Sequence, residues 1–201
     1  SEMCIRDRLY ITGSPYDTLL EVIGINGNGI ESLKDHGIHY NEVKLNEGHI
    51  DVSRVIEAIN DQTKVVAIQR SKGYDQRPSV LIREIEKAIT IIKSAYPDVI
   101  VFVDNCYGEF VEDKEPIEVG ADIIAGSLIK NPGGGLAKIG GYIAGRQDII
   151  ERCGYRLTAP GIGKEAGASL NSLQEMYQGF FLAPHVVSQS LKGALFTSCL
   201  L

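Results

Sequence analysis

Lys130 stands where a solvated charge is out of character. It follows the apolar run Ala121-Asp122-Ile123-Ile124-Ala125-Gly126-Ser127 and precedes Asn131-Pro132-Gly133-Gly134-Gly135, a stretch with little side chain of its own. An amine at the exit of a buried strand is suited to attack a carbonyl group, because partial desolvation lowers its pKa and leaves it uncharged part of the time. The glycines that follow let backbone approach a flat ligand and its phosphate closely. The plain alternative is a lysine reaching solvent from a loop. Asp104 is the second candidate. It closes Val99-Ile100-Val101-Phe102-Val103, a run rich in β-branched residues that reads as a strand buried on both faces. Its carboxylate then falls at the strand's C-terminal edge, where open α/β sheets bind ligands, or else simply caps the following turn. Asn105, directly after it, joins the candidate cofactor contacts. Ser127, three residues before the lysine, is either a turn hydroxyl or a phosphate ligand. Tyr16, on the loop after Gly13-Ser14-Pro15, either packs or stacks on a planar ring. Arg70, Ser71 and Tyr74 leave the end of the apolar run Val65-Val66-Ala67-Ile68 and can face the same cleft as substrate contacts; for Arg70 the alternative is a surface ion pair.

These residues need a scaffold that delivers several strand ends to one edge, and the remaining sequence supplies its elements. Leu9–Thr12 predicts a first strand. Pro15 with Asp17 and Thr18 starts a helix with Leu19, Leu20 and Ile23 on one face. The loop Gly24 to Gly29 has the wrong glycine order for a dinucleotide fingerprint. Ile30–His36 predicts a short helix closed by Gly37, and Ile38–Leu45 a strand. Asp51 or Ser53 caps a helix striped by Val52, Val55, Ile56 and Ile59. Ser79–Ala95 is amphipathic, with Ile82, Ile85, Ala88, Ile89 and Ile92 on the buried side. A weaker strand over Ile123–Gly126, a return strand over Ile139–Ala144, helices over Gln147–Cys153 and Lys164–Gly179, and a last helix opened by Pro184 complete the chain. Strand and helix alternate, which predicts an α/β fold of three layers: a mostly parallel sheet flanked by helices. An aspartate and, 26 residues later, a lysine, both on strand exits beside a glycine-rich loop, match the needs of a pyridoxal-phosphate site. The carboxylate would pair with the ring nitrogen and make the ring an electron sink.

Composition excludes several other classes. The 201 residues suffice for one sizeable core. A net charge of −6 without a Lys/Arg cluster argues against nucleic acid, and no apolar run approaches the roughly 20 residues that span a bilayer. Cys4, Cys106, Cys153 and Cys199 are scattered, and the four histidines lie on unrelated elements, so neither a metal site nor a disulfide framework is expected and a reducing, cytoplasmic setting is. Gly161-Ile162-Gly163-Lys164 lacks the spacing and the Ser/Thr of a phosphate-binding P-loop.

Taken together, Val103-Asp104-Asn105-Cys106-Tyr107, Glu118-Val119-Gly120-Ala121-Asp122-Ile123 and Gly126-Ser127 with Lys130 resemble the cystathionine-metabolism branch of the fold-type I pyridoxal-phosphate enzymes. Gly13-Ser14-Pro15-Tyr16-Asp17-Thr18-Leu19, Gln69-Arg70-Ser71-Lys72-Gly73-Tyr74 and Ile129-Lys130-Asn131-Pro132-Gly133-Gly134-Gly135 are similar to the methionine γ-lyase-like proteins known as aluminium-resistance proteins. The resemblance implies Lys130 as the Schiff-base lysine, Asp104 as the ring-nitrogen partner, Ser127 on the phosphate and Tyr16 stacked on the ring. It implies a carbon–sulfur lyase acting on a sulfur amino acid, in a homodimer or homotetramer when full length. A transferase or aminotransferase on the same fold, or a non-catalytic doubly wound binding domain, are the rival expectations. Where the wider branch has a threonine just before its lysine, this chain has Ile129. The expected layout is an atypical start over residues 1–8, a cofactor-binding large domain over 9–183 without its N-terminal part, and over 184–201 the start of a helix leading to a small C-terminal domain. On this resemblance the upstream phosphate loop and the substrate-carboxylate arginine lie outside the chain.

Overall fold

Alternating side chains along three neighbouring strands divide the protein into layers. The computed structural model describes residues 7–27, 31–157, 161–163, 167 and 169–201, so that Cys4, the end of the 24–29 loop, Ile30 and Lys164 lie outside the described residues. Strands β1 (Asp7–Tyr10), β2 (Tyr40–Glu42), β3 (Thr63–Gln69), β4 (Ile100–Asp104), β5 (Ile123–Ser127) and β6 (Gly141–Gly145) form one sheet in the order β2-β1-β3-β4-β5-β6. All neighbours are parallel except β5 and β6. Leu9, Ile11, Val66, Ile68, Val101 and Val103 point to one face, where they are buried beneath α2 (Val52–Ala58) and α3 (Ile82–Ala95). Tyr10, Ala67 and Phe102 alternate to the other face and meet Leu19 and Ile23 of α1 (Asp17–Ile23). Period-two alternation on a doubly covered sheet gives the three expected layers. The first strand leaves the sheet toward β2 and the chain returns on the opposite side at β3, which makes the gap between β1 and β3 a topological switch point.

Several elements differ from expectation for local reasons. Asp7 and Arg8 belong to β1, paired with Thr63 and Val65 of β3, so the strand starts before Leu9. Residues 31–37 are turns instead of a helix: Ser32 and Asp35 bond each other through side chain and backbone, and Glu31 takes φ +71°. Such local side-chain bonds compete with helix formation. Asp51, and not Ser53, caps α2, accepting from Arg54 N–H at 3.2 Å. Helix α3 starts at Ile82, because Val80 N–H still bonds the carbonyl of Arg70 at 2.9 Å and Leu81 stays extended. The end of the chain differs most. Among the described residues, the next α-helix after α4 (Gln147–Gly154) is α5 (Ser172–Leu200), with Pro184 inside it instead of at its start. An interior proline forfeits one ladder bond. The buried Gly179, Ala183 and Val187 hold the helix against the body of the fold on both sides of that gap.

Asp122 locks the sheet from below. Its Oδ2 accepts from Val101 N–H at 2.7 Å and from Lys93 Nζ at 2.5 Å, and its Oδ1 takes Arg146 Nη1 at 3.2 Å. Burial alone would raise this carboxyl, but the bonds from Lys93, Val101 and Arg146 outweigh it and hold it below the usual carboxylate range. A carboxyl lowered on folding contributes stability above its unfolded pKa and loses it as pH falls through the folded value. Asp122→Ala should therefore cost about 1–3 kcal/mol at neutral pH by stranding a buried N–H. The gap from wild type should narrow on acidification, as measured by urea unfolding of the full-length protein at several pH values.

Candidate active site

Four strands deliver their C-terminal ends to one rim. The register pairs Gln69 with Asp104 and Asp104 with Ala125, so the exits of β3, β4 and β5 lie side by side. At the exit of β1, Tyr16 N–H donates to Gln69 Oε1 at 3.0 Å, and Gln69 N–H donates to Thr12 Oγ1 at 3.0 Å, which closes the switch point between β1 and β3. Tyr16 is thereby fixed at the head of α1 with its side chain half exposed.

Lys130 lies just past β5 in a tight turn: its N–H bonds Ser127 O at 3.1 Å and its carbonyl accepts from Gly133 at 3.1 Å. Its amine meets residues from the exit of β4. Nζ sits 4.8 Å from the centre of the Tyr107 ring, with the Cys106 thiol and the Asp104 carboxylate near enough to act on its charge. Asp104 Oδ1 accepts from Cys106 N–H at 3.1 Å. Amine, thiol and carboxylate thus act on one another's charge at this part of the rim. Burial pushes the Cys106 thiol up, Asp104 adds to this, and Lys130 works against it. The lysine departs from expectation. Burial lowers its pKa, but Cys106, Tyr107 and Asp104 together outweigh burial and raise it. Bare of any ligand, the amine is held as an ammonium ion.

The other candidates divide. Ser127 ends β5 half-buried, its carbonyl spent on Lys130. Ser71 uses its carbonyl to accept from Gln69 Nε2 and from Arg77 Nη2, and Tyr74 projects fully into solvent. Arg70 does not face the cleft as a substrate ligand. It is 3% exposed. Its Nη1 donates to Asn105 Oδ1 at 2.8 Å, to Gly108 O at 2.9 Å and to Glu115 Oε2 at 3.5 Å, while Nη2 meets Glu112 Oε2 at 2.7 Å. Asn105 likewise turns inward. It is fully buried, with its Nδ2 on Glu115 and Tyr142 and its N–H on Ala125 O, so its polar atoms serve the scaffold and not a cofactor. Two of the three glycines after Lys130 are committed. A Cβ on Gly134 would stand 2.3 Å from the carbonyl oxygen of Gly179 in α5, and one on Gly133 would collide with Leu128 O. Gly134 makes room for helix packing and Gly133 for the turn itself, while at Gly135, with φ +75°, a Cβ would meet open space.

Sequence reasoning passed over Cys106, Tyr107, Glu109 and Tyr142. The first two stand two and three residues beyond Asp104, and their place on the same strand exit was the available signal. Glu109 is buried, accepts from Tyr142 hydroxyl at 2.8 Å through Oε1, and leaves Oε2 without a partner. Burial pushes its carboxyl up, and the charge of Glu115 adds to this.

A family model described as methionine gamma-lyase matches residues 5–201. The chain belongs to that family. It is 66% identical over 192 residues to the uncharacterised protein YnbB of Bacillus subtilis, covering 94% of this chain and 46% of YnbB. It superposes with a TM-score of 0.93, at 62% identity, on a Listeria monocytogenes structure named as a candidate cystathionine beta-lyase involved in aluminium resistance, covering 96% of this chain and 48% of that one. The chain thus spans about half the length of these relatives of the methionine gamma-lyase family. A more distant structure, the pyridoxal-5'-phosphate-dependent YhfS of Escherichia coli, shares the fold at a TM-score of 0.62 and 17% identity, over 95% of this chain and 46% of that one.

If Arg70 is a scaffold cation, its loss should show in folding. Arg70→Lys keeps the charge but cannot fork between two carboxylates and a carbonyl. It should lower stability by about 3–5 kcal/mol, the cost of breaking a buried pair. Denaturant unfolding of the full-length protein measures this. A variant of normal stability with a raised KM would return Arg70 to the substrate.

Proposed function

We propose that the full-length protein is a pyridoxal-phosphate-dependent carbon–sulfur lyase that eliminates a thiol from a sulfur-containing amino acid. The observation that carries this reading is the placing of Lys130 just past β5 and Asp104 at the end of β4 on one C-terminal rim of the sheet, with Lys130 Nζ over the Tyr107 ring three residues beyond Asp104, in a member of the methionine gamma-lyase family. The donor set fits the cofactor: a primary amine for its carbonyl carbon, a carboxylate for its ring nitrogen and an aromatic side chain, Tyr16, at the neighbouring switch point. When bound, pyridoxal phosphate supplies an electron sink for charge developing at the substrate's α-carbon.

The chain's own residues would then divide the work. Lys130 Nζ would hold the cofactor and, with its amine free, would serve as the general base for the substrate's α-carbon proton. The Asp104 carboxylate keeps a proton on the ring nitrogen. It is held in place by Cys106 N–H and by its position at the end of β4 between β3 and β5. Ser127 at the end of β5 would meet the phosphate, and Tyr16 would cover the ring. The same reading gives the full-length protein a homodimeric or homotetrameric assembly, and a release of thiol, 2-oxo acid and ammonia.

The test is made on the full-length protein loaded with pyridoxal phosphate. Borohydride reduction followed by peptide mapping should place the adduct on Lys130, and Lys130→Ala should show no adduct and no thiol release. Asp104→Asn should still bind the cofactor but eliminate roughly 10²–10³-fold more slowly, the usual cost of removing one charge-stabilising group. Near-normal turnover in Asp104→Asn would return that residue to a turn-capping role. Amino-group transfer without thiol release would favour an aminotransferase, and a protein that takes up no cofactor a binding domain.

A further inference from the structure

The turn after β4 carries a cost that packing does not explain. Gly108 N–H closes it on Asn105 O at 2.8 Å, and Tyr107 within it takes φ +66°. That is a left-handed backbone that an aromatic residue adopts at a penalty and a glycine adopts freely. Burial of the side chain does not compensate, since Tyr107 is 59% exposed. The turn is instead imposed from beneath. One nitrogen of Arg70 grips both of its ends, Asn105 Oδ1 and Gly108 O, and a Cβ on Gly108 would lie 2.4 Å from that guanidinium. The loop bearing Lys130 is tied to the same segment, because Asn131 Nδ2 donates to Glu109 O at 3.1 Å. Between these two braced loops the exposed ring of Tyr107 lies under Lys130 Nζ, 4.8 Å from its centre.

We propose that Tyr107 is a positioning residue for Lys130: its ring, held by the strained turn that Arg70 braces, fixes the amine on the rim and keeps it protonated until the cofactor arrives. A cation over an aromatic face is stabilised by the ring's quadrupole, so the ring joins Cys106 and Asp104, which act on the same amine, in setting the place of Nζ and its readiness to give up a proton. Strain kept at an exposed position is then part of how the lysine is prepared, as strained residues often are at functional sites.

The proposal rests on Lys130 being the cofactor lysine, and its test separates the two. In cofactor-free full-length protein, competitive acetylation across a pH series with mass spectrometry of the Lys130 peptide gives the amine's pKa. Tyr107→Phe keeps the ring and should leave that pKa unchanged. Tyr107→Gly removes the ring while suiting the left-handed backbone. It should lower the Lys130 pKa by about 0.5 to 1.5 units, with a melting temperature no lower than that of the parent. An unchanged pKa in Tyr107→Gly, or an equal fall in Tyr107→Phe, overturns the proposal. Absence of a borohydride-reducible adduct on Lys130 in the parent overturns instead the functional reading beneath it, while the pKa pattern stands by itself.

Discussion

A single buried cation holds the site side of the molecule together. The guanidinium of Arg70 reaches the turn after β4 through Asn105 and Gly108, the following segment through Glu112 and Glu115, and, by way of Glu112, the first free N–H of α3 at Ile82. A charge this deep is tolerable only when paired and fully bonded. Two carboxylates already exceed the one positive charge, and a third nearby would be repelled. Glu109, linked to Asn105 through the Tyr142 hydroxyl, meets that condition because burial and the charge of Glu115 favour its neutral form. The arrangement of strand exit, helix start and lysine loop is thus one electrostatic unit.

How much of this could be read beforehand follows from burial. Strands β3 and β4 announce themselves because both faces are covered, which demands unbroken runs of β-branched residues, and the stripe of α3 is equally plain. Lys130 and Asp104 could be named as candidates because Asp104 closes such a run and Lys130 follows one by three residues. Arg70 and Asn105 were misplaced for the opposite reason. A polar residue at a strand exit can turn toward the cleft or under the sheet, and only the distant partners Glu112, Glu115 and Tyr142 decide which. Tyr107 was passed over because its residue type argues against the backbone it adopts. In α5, the local rule that proline opens or breaks a helix yielded to tertiary packing of Gly179, Ala183 and Val187.

The glycine-rich stretch gives a related lesson. Gly133 and Gly134 occupy a place where a nucleotide- or phosphate-binding loop would also be glycine-rich, yet the close approach they permit is to Leu128 in the same turn and to the backbone of α5. Small residues signal proximity of something; they do not say what. Here the neighbour is the helix that follows in the chain, so the turn carrying Lys130 is seated on α5 on one side and on the β4 exit on the other.

The antiparallel partner of β5 has a bearing on how the site assembles in time. Leu128 N–H bonds Gly140 O at 3.0 Å, and Ser127 pairs with Gly141, so the excursion carrying Lys130 begins and ends on one β5–β6 hairpin. Closing so local a loop is fast, whereas the parallel pairing of β4 with its neighbours needs longer crossovers. The lysine arm can therefore take shape by itself, and its meeting with Asp104, Cys106 and Tyr107 waits on the slower docking of β4. The Lys130 amine and the Asp104 carboxylate come from parts of the chain that order by different routes, and their arrival on one rim reports that the sheet between them has closed.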